Sequence, residues 1–390
     1  MNFLRTTSTG RLIAGTALSA ALVIGVVAAA TAAGGGGTPP PAKPLAVAIH
    51  DSLAAPKPTG ITARVRFTNN LIASGALPTG SPILTGASGR LWLSGDRLRL
   101  ELQSDAGDAQ IVVADGRISV YDASTNTVYR ATVPAKPESD PAGDTSGAPS
   151  EAKIGTILTQ LAENATVSGA DPTTQAGQPA YEVSVTPKHD AGLLGQAQLA
   201  WDAANGVPLR ISLAAAGNSS PVLALDVTDI SYGAVDSGAL AVAAPASARV
   251  VDLGSIGHST RPDGSPMKET QGLAAVSAAV PFTLSAPDSL VGLPRTGVRL
   301  ISDGKDAAAL VTYGKGLGAI AVLERAVTKG EHSANPLEGL PAVSIGGATG
   351  HELPTALGTL ITAERGGVSY TLVGSLPPNA AEAALRAVLA

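Results

Sequence analysis

The sequence predicts an α+β protein whose larger part is one curved antiparallel sheet, followed by a small α+β domain. Between Gly89 and Val133, apolar and polar residues alternate in five short runs, each ended by a polar or glycine-containing turn. Alternation with a period of two places apolar side chains on one face of a strand. Short, evenly spaced turns are typical of an antiparallel meander. The apolar face of this sheet must therefore be covered by other parts of the chain or by a ligand.

One phase of the alternation supplies the candidate lining of a concave apolar face. It continues from the meander into the strand before it and into two later strands. Trp92 falls in the opposite phase with Arg90, and Trp201 falls in phase with Leu199. The predicted lining residues are Val65, Phe67, Leu91, Leu93, Leu98, Leu100, Ile111, Val113, Leu199, Leu209 and Ile211.

Two helices are expected to cover this face in part. Apolar residues recur at helical spacing over 44–55 and over 154–163, which predicts amphipathic helices that lie on the sheet.

Further along the sheet domain, the alternation changes phase: Val227 ends one apolar phase and Ile230 begins the other. A phase slip of one residue predicts a β-bulge at this point.

Composition bounds the function classes. The chain has 390 residues, of which 44% are hydrophobic, 15% charged and 3% aromatic, so it can form two domains with an aliphatic core. The net charge of −5, with no basic stripe in the sequence, argues against a nucleic-acid partner. The absence of cysteine excludes disulfides, thiolate metal sites, a cysteine nucleophile and a lipid-modified N-terminal cysteine.

The N-terminus predicts export. Arg5 and Arg11 precede an uncharged run from Leu12 to Ala33, close to the roughly 20 residues that span a bilayer. Basic residues before such a run place the remainder of the chain outside the cytoplasm. Two interpretations stay open: a retained single-pass anchor in the cell membrane, or a signal peptide cleaved after the small residues near Ala32, which gives a secreted protein.

These patterns give a domain plan. Residues 1–33 are the anchor or signal peptide, 34–43 a Gly/Pro linker, 44–248 the sheet domain, 249–280 a second linker and 281–390 the small α+β domain. Residues 134–150 are rich in Pro, Gly and Asp, which predicts a disordered insertion. The last helix is expected over 380–389, with Asn379 and Glu382 at the spacing of a capping box.

The sequence offers no catalytic or metal-binding pattern. It lacks the G-x-S-x-G, H-E-x-x-H and P-loop motifs. None of the five histidines has metal-ligand spacing with another: His50, His189, His258, His332 and His351. We therefore expect a protein that is not an enzyme and that has no metal or other cofactor.

The ordered motifs of the sheet domain resemble the LolA-like lipoprotein-carrier superfamily, including its actinobacterial members, over about 200 residues. They are Gly89-Arg90-Leu91-Trp92-Leu93, Asp96-Arg97-Leu98-Arg99-Leu100, Ala114-Asp115-Gly116, Val120-Tyr121-Asp122, Asn126-Thr127-Val128-Tyr129, Leu199-Ala200-Trp201-Asp202 and Gly206-Val207-Pro208-Leu209-Arg210. The resemblance implies a curved β half-barrel that is plugged by helices and binds acyl chains of lipids or lipoproteins. The sequence departs from lipoprotein members of the superfamily because it has no lipobox cysteine.

The two-domain plan is similar to that of RseB/MucB periplasmic regulators, in which a LolA-like domain precedes a smaller one. The motifs concerned are Leu293-Pro294, Tyr313-Gly314-Lys315-Gly316-Leu317-Gly318 and Tyr370-Thr371-Leu372-Val373-Gly374. Two functions are therefore implied. One is an extracytoplasmic carrier or chaperone for acyl chains, and the other is a membrane-associated sensor that acts on an anti-sigma factor or another single-pass envelope protein.

Overall fold

The structure is a computed structural model that describes residues 37–72, 82–132, 148–188, 192–241, 243–255, 270–302, 307–327, 337, 340 and 342–390. The described chain is mostly β with few helices, so the predicted α+β class is confirmed in its coarse form. It divides into two compact units. The first unit holds the described residues of 37–188 and 195–253, and the second holds 192–194 and those from 254 onward.

The first unit is built on a sheet of thirteen described strands, here called the first sheet. Their order is β13-β6-β5-β4-β3-β2-β1-β12-β11-β10-β9-β7, and β8 also pairs with β9. The strands are β1 (Ile61–Asn69), β2 (Ala87–Ser94), β3 (Arg97–Ser104), β4 (Gly107–Ala114), β5 (Arg117–Asp122), β6 (Thr127–Thr132), β7 (Ala165–Val167), β8 (Asp171–Gln175), β9 (Gln178–Pro187), β10 (Leu194–Asp202), β11 (Pro208–Ala215), β12 (Pro221–Tyr232) and β13 (Arg249–Ser255).

Strands β2 to β6 form the predicted five-stranded meander. Each pairs antiparallel with the next one in sequence. The two-residue turn between β4 and β5 has φ of 52° at Asp115 and 68° at Gly116. Such left-handed pairs match the twist of a tight hairpin and favour Asp-Gly. The turn chemistry seen in the sequence therefore sets this register.

The predicted β-bulge lies on β12. The register against β1 shifts between Arg64, which pairs with Asp229, and Val65, which pairs with Val227. Thr228 is the extra residue, and its hydroxyl donates to the carbonyl of Arg64 over 3.2 Å. Because of the shift, Ile230 returns to the same face of the sheet as Val227.

The described residues of the first unit form four helices: α1 (Leu45–Ala54), α2 (Pro82–Thr85), α3 (Glu151–Leu161) and α4 (Ser237–Leu240). Helix α1 packs against α3, α2 packs on β1, β3 and β4, and α4 packs on β2 and β3. The hydroxyl of Ser150 caps α3 by accepting from the backbone N–H of Lys153. The two helices predicted over 44–55 and 154–163 are therefore present as α1 and α3.

Parts of both predicted linkers are ordered. Pro41 accepts a 2.6 Å hydrogen bond from the hydroxyl of Tyr181, and Lys43 forms a β-bridge with Ala170. Residues Arg249–Ser255 form β13 beside β6, because Asn126 in the preceding turn accepts from the N–H of Arg249 and starts the pairing. The predicted N-terminal run 1–33 and residues 134–147 of the predicted insertion lie outside the described residues.

The second unit has its own sheet, of eight described strands in the order β14-β15-β16-β17-β21-β20-β19-β18. They are β14 (Ser289–Leu290), β15 (Leu293–Ser302), β16 (Ala308–Tyr313), β17 (Ile320–Ala326), β18 (Ala342–Ile345), β19 (Ala348–Thr355), β20 (Gly358–Arg365) and β21 (Val368–Gly374). Helices α5 (Leu273–Ala279) and α6 (Pro378–Val388) share an apolar core with one face of this sheet, which contains Val276, Val322, Leu372 and Leu385.

Helix α6 begins two residues earlier than the sequence predicts. Pro377 is the N-cap residue and Pro378 opens the first turn, with no side-chain cap. The predicted capping box of Asn379 and Glu382 is wrong, because the amide oxygen of Asn379 accepts from Ala380 instead. Proline suits the first helical position because its missing N–H would have no partner there.

Candidate functional site

The predicted lining residues of β1 to β4 share one face of the first sheet, here called the inner face. The cross-strand register aligns Val65, Phe67, Leu91, Leu93, Leu98, Leu100, Ile111 and Val113 in one phase. One row runs directly through Leu91, Leu100 and Ile111. Side chains in such a row lie close enough for mutual apolar contact.

Strand β11 extends the inner face past β12. Ile211 pairs with Leu225, which in turn pairs with Phe67. Leu209 lies two residues before Ile211 and therefore points to the same side. The bulge at Thr228 keeps both ends of β12 in this phase, so the inner face is continuous from β4 to β11.

Leu199 on β10 also belongs to the inner face. The hydroxyl of Ser212 donates to the side-chain oxygen of Gln198 over 3.1 Å, so these two residues share the outer face. Leu199 follows Gln198 and therefore points inward, where it pairs with Val183 of β9. The register thus brings the eleven predicted residues to one face, from six strands.

Burial divides these residues into core and accessible members. Val65, Phe67, Leu91, Leu98, Leu100, Ile111 and Leu209 are buried. Leu93, Val113 and Ile211 are half-buried, and Leu199 is 38% exposed. Most of the predicted lining is therefore ordinary core within the first unit, and the accessible part includes β10 and β11.

A cavity of about 50 Å³ lies on the inner face between β2, β1, β12 and β11. Five predicted residues line it: Val65, Leu91, Leu93, Leu209 and Ile211. Phe67, Leu98, Leu100, Ile111, Val113 and Leu199 do not line it. The walls are almost entirely aliphatic, so the cavity suits a ligand that needs no directed hydrogen bonds.

Sequence reasoning missed several lining residues: Ile61, Ala63, Val207, Leu225, Val227 and Ile230. Ile61 and Ala63 lie in the same phase as Val65, and that signal was sufficient to include them. For Leu225 and Ile230 the alternation gives the phase within β12. It does not give the neighbour of β12, which is β1 from much earlier in the chain.

Helix α1 reaches the edge of the cavity. Gly206 has φ of 72° and lies so close to Ser52 that a Cβ there would be 2.5 Å from the carbonyl oxygen of Ser52. Gly206 directly precedes Val207, which lines the cavity. The absence of a side chain at Gly206 therefore lets α1 lie against this wall.

The other side of α1 covers β9 and β10. Ala48 packs with Tyr181 and Trp201, whose ring centroids are 6.0 Å apart. Three large apolar side chains of α1 and α3 remain exposed: Leu53, Ile157 and Leu161. The helix pair is thus anchored at one end of the sheet and presents unburied apolar surface elsewhere.

A hydrogen bond links the end of β12 to the end of β10. The hydroxyl of Tyr232 donates to Oδ2 of Asp202 over 2.5 Å, and Tyr232 pairs with Ile61 of the cavity wall. Burial and this bond raise the pKa of the Tyr232 hydroxyl. The tyrosine therefore stays neutral and bridges two strands that flank β11, which indicates that the sheet curls here.

Other expected features can be placed within the described ranges. Trp92 lies on the outer face, 5.0 Å below the guanidinium of Arg99, as its phase predicts. In the part of the chain that the structure describes, no three His, Asp or Glu side chains gather in a metal-binding arrangement. Nor does any helix within those ranges have the length and apolarity to cross a membrane.

Comparison with solved structures gives matches of low identity. The complex of MucB with MucA(peri) is 17% identical, covers 88% of this chain and 94% of that chain, and has a TM-score of 0.42. A MucA/MucB complex of Pseudomonas aeruginosa is 18% identical, covering 87% and 94%, with a TM-score of 0.41. A putative outer membrane lipoprotein-sorting protein domain from Vibrio parahaemolyticus is 10% identical, covering 47% and 89%, with a TM-score of 0.19.

No protein-family model matches the sequence, and no curated protein sequence matches it. At the identities and TM-scores given above, the structural likeness assigns no function to this chain.

Proposed function

We propose that the first unit binds an acyl chain of a lipid or lipoprotein on its inner face, as an extracytoplasmic carrier or chaperone. The observation that carries this proposal is the aliphatic cavity between β2, β1, β12 and β11, which continues into half-buried Ile211. An acyl chain needs dehydration and dispersion contacts but no directed hydrogen bonds. Each buried methylene contributes about 0.8 kcal/mol, so partial insertion of a chain gives useful affinity.

Binding of a whole chain requires the cavity to widen. At about 50 Å³ it has room for only a few water molecules. Helix α1 contacts the cavity wall through Ser52 and Gly206, and its partner α3 keeps Ile157 and Leu161 exposed. We infer that the two helices move apart from β11 on binding and that the exposed side chains of α3 then meet the ligand.

The test compares substitutions at neighbouring positions that point to opposite faces of β1. Ala63 lines the cavity, so Ala63→Leu fills it. Thr62 pairs with Trp92 on the outer face, so Thr62→Leu adds similar bulk outside the groove. In the full-length chain we expect Ala63→Leu to weaken binding of cis-parinaric acid at least tenfold and Thr62→Leu to leave it unchanged.

Circular dichroism and thermal unfolding verify that both variants are folded. If the larger side chain at 63 prevents folding, Ala63→Val makes the same test with a smaller volume. A folded position-63 variant that binds the probe as tightly as the parent contradicts the groove. Native mass spectrometry of the purified parent should also detect bound acyl lipid.

A second function, regulation of an envelope partner, is supported by the second unit. Every proposed groove residue belongs to the first unit, so acyl binding alone gives no role to the core built on β14 to β21. In this alternative a lipid-responsive sensor acts on an anti-sigma factor or another single-pass membrane protein. Lipid loading of the full chain should then change its affinity for a purified partner, and Ala63→Leu should abolish that change.

The proposed location follows from the N-terminal residues. We propose that the run Leu12 to Ala33 holds the chain in the cell membrane as a single pass, with domains 44–248 and 281–390 outside the cytoplasm. In the alternative it is cleaved and the remainder is secreted. N-terminal sequencing of the mature protein decides between them, because a start at Ala33 or Gly34 contradicts a retained anchor.

A further inference from the structure

The outer face of the first sheet carries a set of arginines that the sequence does not reveal as a cluster. Between Ile61 and Thr132 all seven basic residues are arginine and none is lysine. Six of them are exposed. Arg97 forms an ion pair with Asp115, and the other five have no ion pair or side-chain hydrogen bond to a described residue: Arg64, Arg66, Arg90, Arg117 and Arg130. The register places all five opposite the buried apolar phase.

Three of these arginines are adjacent. Arg64 pairs directly with Arg90 across β1 and β2, and Arg66 lies two residues further along β1 on the same face. Like charges directly opposite each other on a sheet are destabilising. Solubility alone does not require this arrangement, since the same charges at positions that do not face each other would serve it.

The carboxylates nearby leave this group positive. Asp229 lies opposite Arg64 on β12, and Glu101 lies opposite Arg90 on β3. Glu101 already pairs with Arg99. Asp226 lies opposite Arg66 on β12 and pairs with Arg210 over 3.1 Å. Of the three carboxylates opposite these arginines in the strand register, only Asp229 is therefore without an ion-pair partner among the described residues.

A polar hollow of about 400 Å³ opens beside Arg66. Its lining includes Thr68, Ser88 and Gln103, which offer hydrogen-bond donors, and the carboxylate of Asp105. Guanidinium groups bind phosphate oxygens through two parallel N–H bonds, whereas lysine acts as a point charge. The exclusive use of arginine and the donors around the hollow both favour phosphate-bearing ligands.

The width of the arginine-bearing outer face indicates that its partner is an extended surface and not a small ligand. Arg64 on β1 and Arg130 on β6 are five strand spacings apart, or about 24 Å. They lie on either side of α4, which packs on β2 and β3 and whose Ala239 carbonyl accepts from Arg99 of the outer face. From these observations we propose that the outer face docks on the phosphate headgroups of an anionic bilayer. The stretch from Ala33 to Pro41, where the hydroxyl of Tyr181 holds the chain on the first unit, reaches at most about 29 Å when extended, so a retained anchor keeps this unit close to the membrane. The proposal does not depend on acyl binding.

The test uses the full-length chain in lipid nanodiscs. Because the chain has no cysteine, Ser119→Cys places a single fluorophore on the outer face, opposite Arg130 and outside the hollow. Nanodiscs contain a headgroup spin-label quencher in either pure phosphatidylcholine or 70:30 phosphatidylcholine and phosphatidylglycerol. We expect stronger quenching in the anionic discs, with loss of the difference in 0.5 M salt.

The arginine variant is R64Q/R66Q/R90Q, and its control is K57Q/K153Q/K315Q. The control removes the same charge from exposed lysines that lie off the outer face. Loss of three arginines near an anionic surface should reduce the docked-to-free ratio about 100-fold, whereas the control should behave as the parent. Circular dichroism confirms that each variant is folded.

Three outcomes overturn the proposal: equal quenching of the parent in both kinds of disc, equal losses in the two triple variants, or undiminished quenching in the arginine variant. A fourth outcome also overturns it. If the outer face binds soluble polyglutamate in preference to anionic discs, its partner is an acidic protein. R64Q/R66Q/R90Q should take up cis-parinaric acid as the parent does. A loss of docking in this variant is then independent of acyl binding in the groove.

Discussion

In the core of the second unit, the backbone N–H of Ser285 donates a 2.9 Å hydrogen bond to Oε2 of Glu324. Glu324 is fully buried and pairs with Tyr370 on β21. Its other oxygen, Oε1, has no hydrogen-bond partner among the described residues. Burial raises the pKa of Glu324 to about 7, although the bond from Ser285 lowers it in part. The ionised carboxylate is therefore poorly accommodated in this core.

We predict that Glu324 makes the second unit less stable as pH rises. Its pKa is about 7 when folded against a usual value of 4.5, so the folded state binds more protons between these values. The free energy of unfolding then falls as pH increases through that window, by about 3 kcal/mol in total. Glu324→Gln should remove this loss and be the more stable protein at pH 8, with little difference at pH 5.

Urea unfolding at the two pH values, followed by far-UV circular dichroism, measures this effect. The chain's two tryptophans, Trp92 and Trp201, both lie in the first unit, so their fluorescence identifies that unit's transition separately. Glu364→Gln, at an exposed position on β20, is the matched control. An unchanged pH dependence in Glu324→Gln would show that another group is responsible.

Val291 is predicted to destabilise the hairpin between β14 and β15. It forms a two-residue turn with Gly292, with φ of 43° at Val291 and 82° at Gly292. β-branched residues are strained in this region, whereas Asn-Gly is favoured. Because Val291 is 43% exposed, Val291→Asn loses little burial and should stabilise the second unit by about 1 kcal/mol.

Val373→Asn provides the comparison for this turn. Val373 is 50% exposed but lies within β21, where asparagine is disfavoured. The same exchange should therefore lower the midpoint of urea unfolding at 373 and raise it at 291. Equal signs at the two positions would mean that backbone conformation does not determine the effect.

Gly89 is required by the close approach of β2 and β3. A Cβ at this position would lie 1.9 Å from the carbonyl oxygen of Glu101. Backbone must therefore move to admit Gly89→Ala, at an expected loss of about 1–3 kcal/mol. Gly155→Ala is the contrasting change, because nothing lies within 4 Å of the added Cβ on α3 and alanine favours helix by about 0.5–1 kcal/mol. Tryptophan fluorescence during urea unfolding should report opposite shifts for the two variants.

The fold was predictable from sequence where local signals determined it. Alternation fixed the phase of Leu91, Leu100 and Ile111, and the tight turns fixed their antiparallel pairing. The slip between Val227 and Ile230 located the bulge, because a one-residue shift reverses every side chain beyond it. These are properties of single strands and their neighbours in sequence.

Non-local pairing was not predictable in the same way. Nothing in the sequence of Arg249–Ser255 indicates that it joins β6, or that Tyr181 binds Pro41. The cavity could be predicted only in part for the same reason. Its wall contains β12 paired with β1, and these two strands are far apart in the sequence. The arginine face was hidden because Arg64 and Arg90 become neighbours only through strand pairing.

The bond between Tyr232 and Asp202 should stabilise the curled end of the first sheet beside the cavity. Asp202 is 1% exposed. Its Oδ1 accepts from the N–H of Ala204 over 2.8 Å, and Oδ2 accepts from Tyr232. Tyr232→Phe removes the second donor and leaves a buried carboxylate oxygen unpaired, for which we expect a loss of about 1.5–3 kcal/mol.

Tyr121→Phe is the control for this change, because the Tyr121 hydroxyl makes only a 3.3 Å bond to Asn126 at the surface. Tryptophan fluorescence during urea unfolding measures both variants in the first unit. Tyr232→Phe should also weaken binding of cis-parinaric acid, since Tyr232 is next to Ile61 in the register of β1 and β12. A double variant with Asp202→Asn should lose less than the sum of the single changes. Additive losses would mean that the two side chains stabilise the fold independently.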